Sequence, residues 1–310
     1  IVSPPHGTGY ADDGLPSDRQ LAYYEARARG GVGLIVVGSL HVYPPQWAAP
    51  GENLAEDPRA VPGYRRLAAA VHAHGTAIVG QLHFSGRQIS GSGLHRPVLA
   101  ASPLASPQVG EIPKELEPHE IDDLIDHFGL SAANIAAGGF AGVEIFSSQG
   151  YGINQFLSPA TNHRDDEWGG PLENRMRLLL QVVARVREAV GEGVLVGVRL
   201  SMDDLVEGGL TLAESCQVVA ALEATGAVDY VNASAASSQQ WPLWIGDAGV
   251  PAGTFVPLLA EFRRATSLPL AIATRIKDPL HAEAILAEGN ADLVGMNRAL
   301  IADPDLPRKA

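Results

Sequence analysis

The chain has 310 residues, 46% hydrophobic and 18% charged, enough apolar material to bury one large core or two smaller ones. A formal net charge of −13 with no basic run excludes nucleic acid and anionic membrane surfaces as partners, since both need clustered Lys and Arg. No apolar run reaches the roughly 20 residues that span a bilayer, and no signal peptide opens the sequence. The lone Cys216 allows neither an internal disulfide nor an iron–sulfur site, and its apolar helical surroundings predict a buried, inert thiol. A cytoplasmic protein acting on a small molecule is expected.

Residues 1–5 read as a strand closed by prolines, and 18–30 as a helix with Leu21, Tyr24 and Ala28 near one face. Residues 32–38, V-G-L-I-V-V-G, are continuously apolar and β-branched, as in a parallel strand buried on both faces. A helix over 57–75 stops at Gly75, and 76–83 form a third strand. A Pro-, Ser- and Gly-rich excursion over 84–118 leads to a helix striped by Ile121, Leu124, Ile125, Phe128 and Ile135. Then come strand 142–146, a long loop, and a helix marked by Leu172, Met176, Leu179, Leu180 and Val183. Strand 194–200, helix 212–225 and strand 230–233 follow, then a loop bearing Trp241 and Trp244. Helix 255–265, strand 270–273, helix 279–288 and strand 291–296 complete the order. Eight strands alternating with helices predict an α/β fold, a single-domain (β/α)8 TIM barrel over 1–310, with function on the loops that follow the strands. The doubly wound alternative is weaker, because no G-x-G-x-x-G follows a strand. Ile1 is not an initiator Met, so the expectation is a barrel truncated at both ends.

Residues 143–177 join a strand to a helix through a loop longer than packing requires, which is usually functional or disordered. Tyr151, Phe156, Trp168 and many hydrogen-bonding side chains suit an ordered wall around a ligand. Gln81, ending the third strand, and Arg199, ending V-G-V-R-L-S, suit a flat ring that gains negative charge on reduction. Arg199 is equally explained by pairing with Glu144 or Asp203. A-T-R-I-K-D-P and M-N-R-A-L-I-A-D-P follow the seventh and eighth strands, where a helix start and an Arg make a phosphate site. Surface charge is the other reading of Arg275 and Arg298. His83 faces the same mouth, or else orients a neighbouring loop. Competing chemistry is weak: His72 and His74 share no helix face, there is no H-E-x-x-H or other metal motif, and Ser201 lacks a nucleophile elbow.

The run G-Y-G-I-N-Q-F-L-S-P-A-T-N-H-R-D-D-E-W-G-G-P-L-E-N-R closely resembles the central motif of the old yellow enzyme family of FMN-dependent oxidoreductases. R-L-S-M-D-D-L-V-E-G-G-L-T is nearly the family's own. T-R-I and N-R-A-L-I-A-D-P-D-L-P resemble the phosphate-binding ends of the branch with 2,4-dienoyl-CoA reductase and trimethylamine dehydrogenase. The resemblance implies that Gln81 and Arg199 meet the pyrimidine side of FMN. It places Ala273, Thr274, Arg275, Asn297 and Arg298 at its phosphate, and Pro5, His6 and Ser39 along the flavin, though Pro-Pro is also an ordinary strand stop. The chain departs from the family where ene-reductases read H-x-x-H or H-x-x-N: Phe146 and Gln149 stand there, and Phe146 cannot donate a hydrogen bond to a substrate carbonyl.

Tyr151 matches the branch's proton-donating tyrosine, but A-S-S-Q-Q-W-P-L-W offers no match for its histidine partner. Gln149 and Tyr151 are thus the expected catalytic residues, with Phe146, His83, Trp241 and Trp244 on the substrate side. The implied reaction is reduction of an activated carbon–carbon double bond with NADH or NADPH as donor. The alternatives are oxidation of an N-methylated amine and a flavin-binding fragment without turnover. The branch also continues past D-P-D-L-P into a cysteine cluster and a second nucleotide-binding region, and a homo-oligomer is left open.

Overall fold

Alternating apolar strands and amphipathic helices fold back so that each strand lies parallel to the one before it. The computed structural model describes residues 1–42, 51–93 and 96–310. Its barrel strands are β1 (Val2–Ser3), β2 (Leu34–His41), β3 (Ala77–His83), β4 (Gly142–Ser147), β5 (Leu195–Ser201), β6 (Tyr230–Ser234), β7 (Leu270–Ile272) and β8 (Leu293–Val294). They are hydrogen-bonded in sequence order. A parallel bridge between Val2 and Gly295, with the Met296 N–H donating to the Val2 carbonyl at 3.1 Å, joins the last strand to the first. The sheet closes into the expected (β/α)8 barrel.

The continuous apolar reading of β2 has a direct cause. Ile35 and Val37 point outward into the large core shared with the helices, while Val36 packs with Val2 and Val79 in a separate small cluster. Alternate side chains face opposite sides of a strand, so both faces must be apolar. Outside lie α1 (Asp18–Arg29), α2 (Val61–His72), α3 (Pro118–Ala137), α4 (Arg177–Val190), α5 (Leu212–Ala224), α6 (Val256–Phe262), α7 (Pro279–Ala287) and α8 (Asn297–Ala302). Their starts are chemically marked. Ser17 and Asp278 accept first-turn N–H groups, and Glu117 with Glu120 and Thr211 with Glu214 form reciprocal capping boxes. No helix among the described residues is long and apolar enough to cross a membrane. Cys216 on α5 is only partly buried, and burial raises its thiol pKa.

Several boundaries differ from the sequence expectation. The second strand runs on to His41, where the short strand Asn53–Leu54 pairs with it. The helix expected from Leu172 onward is broken at Met176 into Leu172–Arg175 and α4. The Trp241–Trp244 loop is a short helix, Trp241–Ile245, with Pro242 in its first turn where a missing N–H costs nothing.

The loop after β4 also has a different job from the one expected of it. Tyr151 reaches the cavity described below, but Phe156 and Trp168 are buried in the core. Asn162 donates to the carbonyls of Phe156 (2.7 Å) and Trp168 (2.8 Å). Arg164 donates to those of Ala101 (3.2 Å) and Leu116 (2.8 Å) and pairs with Asp166. Arg175 reaches the Leu157 and Gly170 carbonyls and Glu214. Most of the motif braces the loop, because a long buried loop must satisfy its backbone with side chains.

Candidate active site

A cavity of about 580 Å³ opens at the C-terminal ends of the strands, within the range of cofactor and ligand sites. Of the residues expected from sequence, Pro5, His6, Ser39, Gln81, His83, Phe146, Gln149, Tyr151, Arg199, Ala273, Thr274, Arg275, Asn297, Arg298 and Trp244 all line it. Trp241 does not. It is 52% exposed and packs edge-on against Trp244 with ring centroids 4.8 Å apart, so it supports the wall from outside.

At one end, Arg199 opens partly onto the cavity, and its Nε has no hydrogen-bond partner among the described residues. No ion pair joins it to Glu144 or Asp203; Asp203 instead accepts the backbone N–H groups of Leu205 and Leu212. Burial lowers the Arg199 pKa, and the Glu144 charge opposes the shift. Beneath lies Glu144, completely buried and hydrogen-bonded by Gln81, Tyr230 and Asn232.

At the other end, Arg275 donates to the Val250 carbonyl and Arg298 to the Gly246 carbonyl at 2.8 Å. Arg275 Nε and Asn297 Oδ1 are buried and unpartnered among the described residues. Thr274 Oγ accepts the Phe255 N–H at 3.2 Å, which ties this end to the chain before α6. The helix after β7 begins at Pro279, where the sequence reading put it and beyond Arg275, whereas α8 begins directly at Asn297. His6 is a strut: its ring bonds the Pro4 carbonyl at 3.1 Å and the Tyr23 hydroxyl at 2.7 Å, and burial lowers its pKa.

Between the two ends stands an aromatic wall. His83 packs against Phe146 (5.1 Å between centroids), Tyr151 (4.8 Å) and His41 (5.0 Å), and Tyr151 contacts Trp244 at 6.1 Å. Burial, then neighbouring His41, pushes His83 well below the ordinary histidine range, so it stays neutral. Burial and then the Glu52 charge raise Tyr151, so its hydroxyl keeps its proton through the neutral range. The turn before Tyr151 is strained. Gln149 has φ +63°, costly for a residue with a Cβ, and is held by its N–H on Ser201 Oγ (3.0 Å) and its carbonyl on the Ser238 N–H (3.0 Å). Gly152 is obligatory, since a Cβ there would sit 2.1 Å from the Phe84 ring.

Sequence reasoning missed His41 and Glu52, whose side chains meet at 2.5 Å on the cavity wall, because the second strand was ended too early. It considered Glu144 only as a partner for Arg199. The available signal was an acidic residue in the middle of a strand buried on both faces, which demands a dedicated set of donors.

A closed parallel barrel with unpartnered guanidinium and amide atoms at the two ends of one elongated mouth is of the class that holds a flat, phosphate-bearing cofactor. The whole chain, residues 1–310, matches the NADH:flavin oxidoreductase / NADH oxidase family and belongs to it. FMN is the redox group of that family, and NADH or NADPH its electron donor. Among relatives, an NADH oxidase of Thermoanaerobacter brockii is 40% identical over all of this chain and 48% of its own length. An N,N-dimethylglycine/sarcosine dehydrogenase of Chromohalobacter salexigens is 36% identical over all of this chain and 46% of its own. A 2-naphthoyl-CoA reductase in complex with 2-naphthoyl-CoA superposes with a TM-score of 0.92 at 28% identity, covering 99% of this chain and 49% of that one. The chain thus spans about half the length of the curated relatives it matches.

Proposed function

We propose that residues 1–310 act as one FMN-binding domain that reduces an activated carbon–carbon double bond at the expense of NADH or NADPH. The observation that carries this reading is the set of buried, unpartnered atoms along one cavity: Arg199 Nε at the ring end, Arg275 Nε and Asn297 Oδ1 at the phosphate end. Gln81 and Arg199 would hold the ring. Thr274, Arg275, Asn297 and Arg298 would hold the phosphate, and Pro5, His6, Ser39 and Ala273 would line its length. Bound FMN supplies hydride transfer. Tyr151 supplies a proton to the substrate, and Gln149 takes the place of the absent two-donor clamp by donating one neutral hydrogen bond to a substrate carbonyl.

The direct test is the absorption spectrum of the purified chain and acid release of its cofactor. Colourless protein that FMN cannot reconstitute overturns the reading. Arg298→Ala is expected to weaken FMN binding by about 1–3 kcal/mol, the worth of a charge-assisted hydrogen bond, as read by fluorescence titration. Gln149→Ala is expected to cost about 1 kcal/mol in substrate affinity, seen in KM, with little change in kcat. The reading includes an electron route through a further iron–sulfur and nucleotide-binding region. Comparing turnover driven by NADPH with turnover driven by dithionite measures how much this chain depends on one.

One observation favours a second reading. The Glu52 carboxylate shares the wall with the Tyr151 and Trp244 rings, surroundings that suit a cation. Oxidation of a methylated amine with a dye as acceptor, without activity on enones or enoyl thioesters, decides for it.

A further inference from the structure

We propose that Glu144 is a positioning residue that locks the amide of Gln81 in one orientation toward the cofactor ring and balances the charge of Arg199 beneath it. The inference rests on the flavin reading above and assigns a task to a residue outside the cavity wall.

Glu144 is 0% exposed and accepts four hydrogen bonds from three side chains. Gln81 Nε2 donates to Oε1 at 2.6 Å, and the Tyr230 hydroxyl donates to Oε2 at 2.9 Å. Asn232 Nδ2 lies 3.3 and 3.2 Å from the two oxygens. Three of these residues lie in one row of the barrel, where Gln81 pairs in register with Glu144, Glu144 with Gly197, and Gly197 with Tyr230, while Asn232 pairs with Arg199. The glycine is required, because a Cβ at Gly197 would lie 2.2 Å from the Tyr230 ring, and without that space the phenol could not reach Glu144.

A carboxylate accepts and never donates, so it dictates which end of each amide faces it. Gln81 must give its NH2 to Glu144, which turns its carbonyl oxygen toward Gly38 and the wall beside Pro5; a Cβ at Gly38 would lie 3.1 Å from that oxygen. Gln81 and Arg199 both line the cavity, so the fixed amide and the guanidinium share one wall. The same carboxylate is the negative charge facing Arg199 from the neighbouring strand. Burial raises the Glu144 pKa, and Arg199, then Gln81, Asn232 and Tyr230, oppose that rise and favour the ionised form. The cation that favours a reduced, negatively charged ring is therefore partly offset from below.

The test compares the FMN-loaded chain with Glu144→Gln, reading FMN affinity by fluorescence and the midpoint potential by titration against a redox dye. Removing the charge is expected to favour reduced over oxidised FMN about tenfold, a positive shift of about 30 mV for a two-electron couple. Oxidised FMN is expected to bind about five- to tenfold more weakly, since the Gln81 amide is no longer held one way round. Tyr230→Phe removes one donor but leaves Arg199, Gln81 and Asn232 to favour the ionised carboxylate, so its midpoint should move far less than that of Glu144→Gln. An unmoved midpoint in Glu144→Gln, or an equal shift in Tyr230→Phe, overturns the charge-balancing role. Glu144→Asp keeps the charge but shortens the reach to Gln81. It is expected to weaken FMN without moving the midpoint, and unchanged affinity overturns the orienting role even if Glu144→Gln does not fold. Failure of the parent chain to take up FMN is a separate outcome that removes the flavin reading and this inference together.

Discussion

Tyr151→Phe is expected to slow reduction of a double-bond substrate by roughly 10²–10⁴, the usual contribution of a general acid, and to leave reduction of the bound cofactor by NADH or NADPH nearly unchanged. The substitution removes one oxygen and keeps the ring that His83, Phe146 and Trp244 contact, so the wall should stay in place. What is lost is the proton of a phenol whose pKa is raised by burial and then by Glu52, so that it stays protonated and neutral throughout the neutral range. His83 cannot take over as the acid, because burial and His41 keep it neutral. Stopped-flow measurement of the two half-reactions separates the cases. If the chain oxidises amines instead, no proton donor is needed and the change should be mild in both. Equal slowing of both halves would defeat the assigned role.

Arg164→Ala is expected to destabilise the fold by about 2–4 kcal/mol, because it leaves two buried carbonyl groups without donors. The Arg164 side chain is 3% exposed and joins the Ala101 and Leu116 carbonyls, both within the 84–118 excursion, to the loop after β4. Its bond to Asp166 contributes less, as that carboxylate is 35% exposed. Chemical denaturation of the FMN-free chain measures the loss. A midpoint unchanged from the parent would mean that the loop is held by packing alone. Restoration by Arg164→Lys should be poor, since one ammonium cannot reproduce a planar fork serving two carbonyls and a carboxylate.

The barrel was legible because apolar strands alternate with amphipathic helices along the chain, and capping residues mark the starts of α1, α3, α5 and α7. The cavity wall was legible where a polar residue stands at or just past a strand end, as with Gln81, Arg199 and Arg275, all of which line the cavity. Boundaries decided the rest. Ending the second strand at residue 38 rather than at His41 hid the His41–Glu52 pair, and reading 241–245 as a loop gave Trp241 and Trp244 equal standing when only Trp244 reaches the cavity. The motif after β4 was read as ligand-contacting because it is long and polar. Nothing in one sequence distinguishes a polar side chain that meets a ligand from one that meets its own backbone, and Asn162, Arg164 and Arg175 do the second.

The short helix Trp241–Ile245 and the glycine that ends it form a single cassette with two clients. Trp244 packs against Tyr151 on the cavity wall, and two residues later the Gly246 carbonyl, on a left-handed residue with φ +62°, holds the Arg298 guanidinium. Under the proposed function, substrate scope and cofactor retention are inherited together. A graft that replaces 241–246 to admit a different substrate also resets the anchor of Arg298, so a library built on this segment has to be screened for flavin occupancy before any change in turnover is credited to the new pocket.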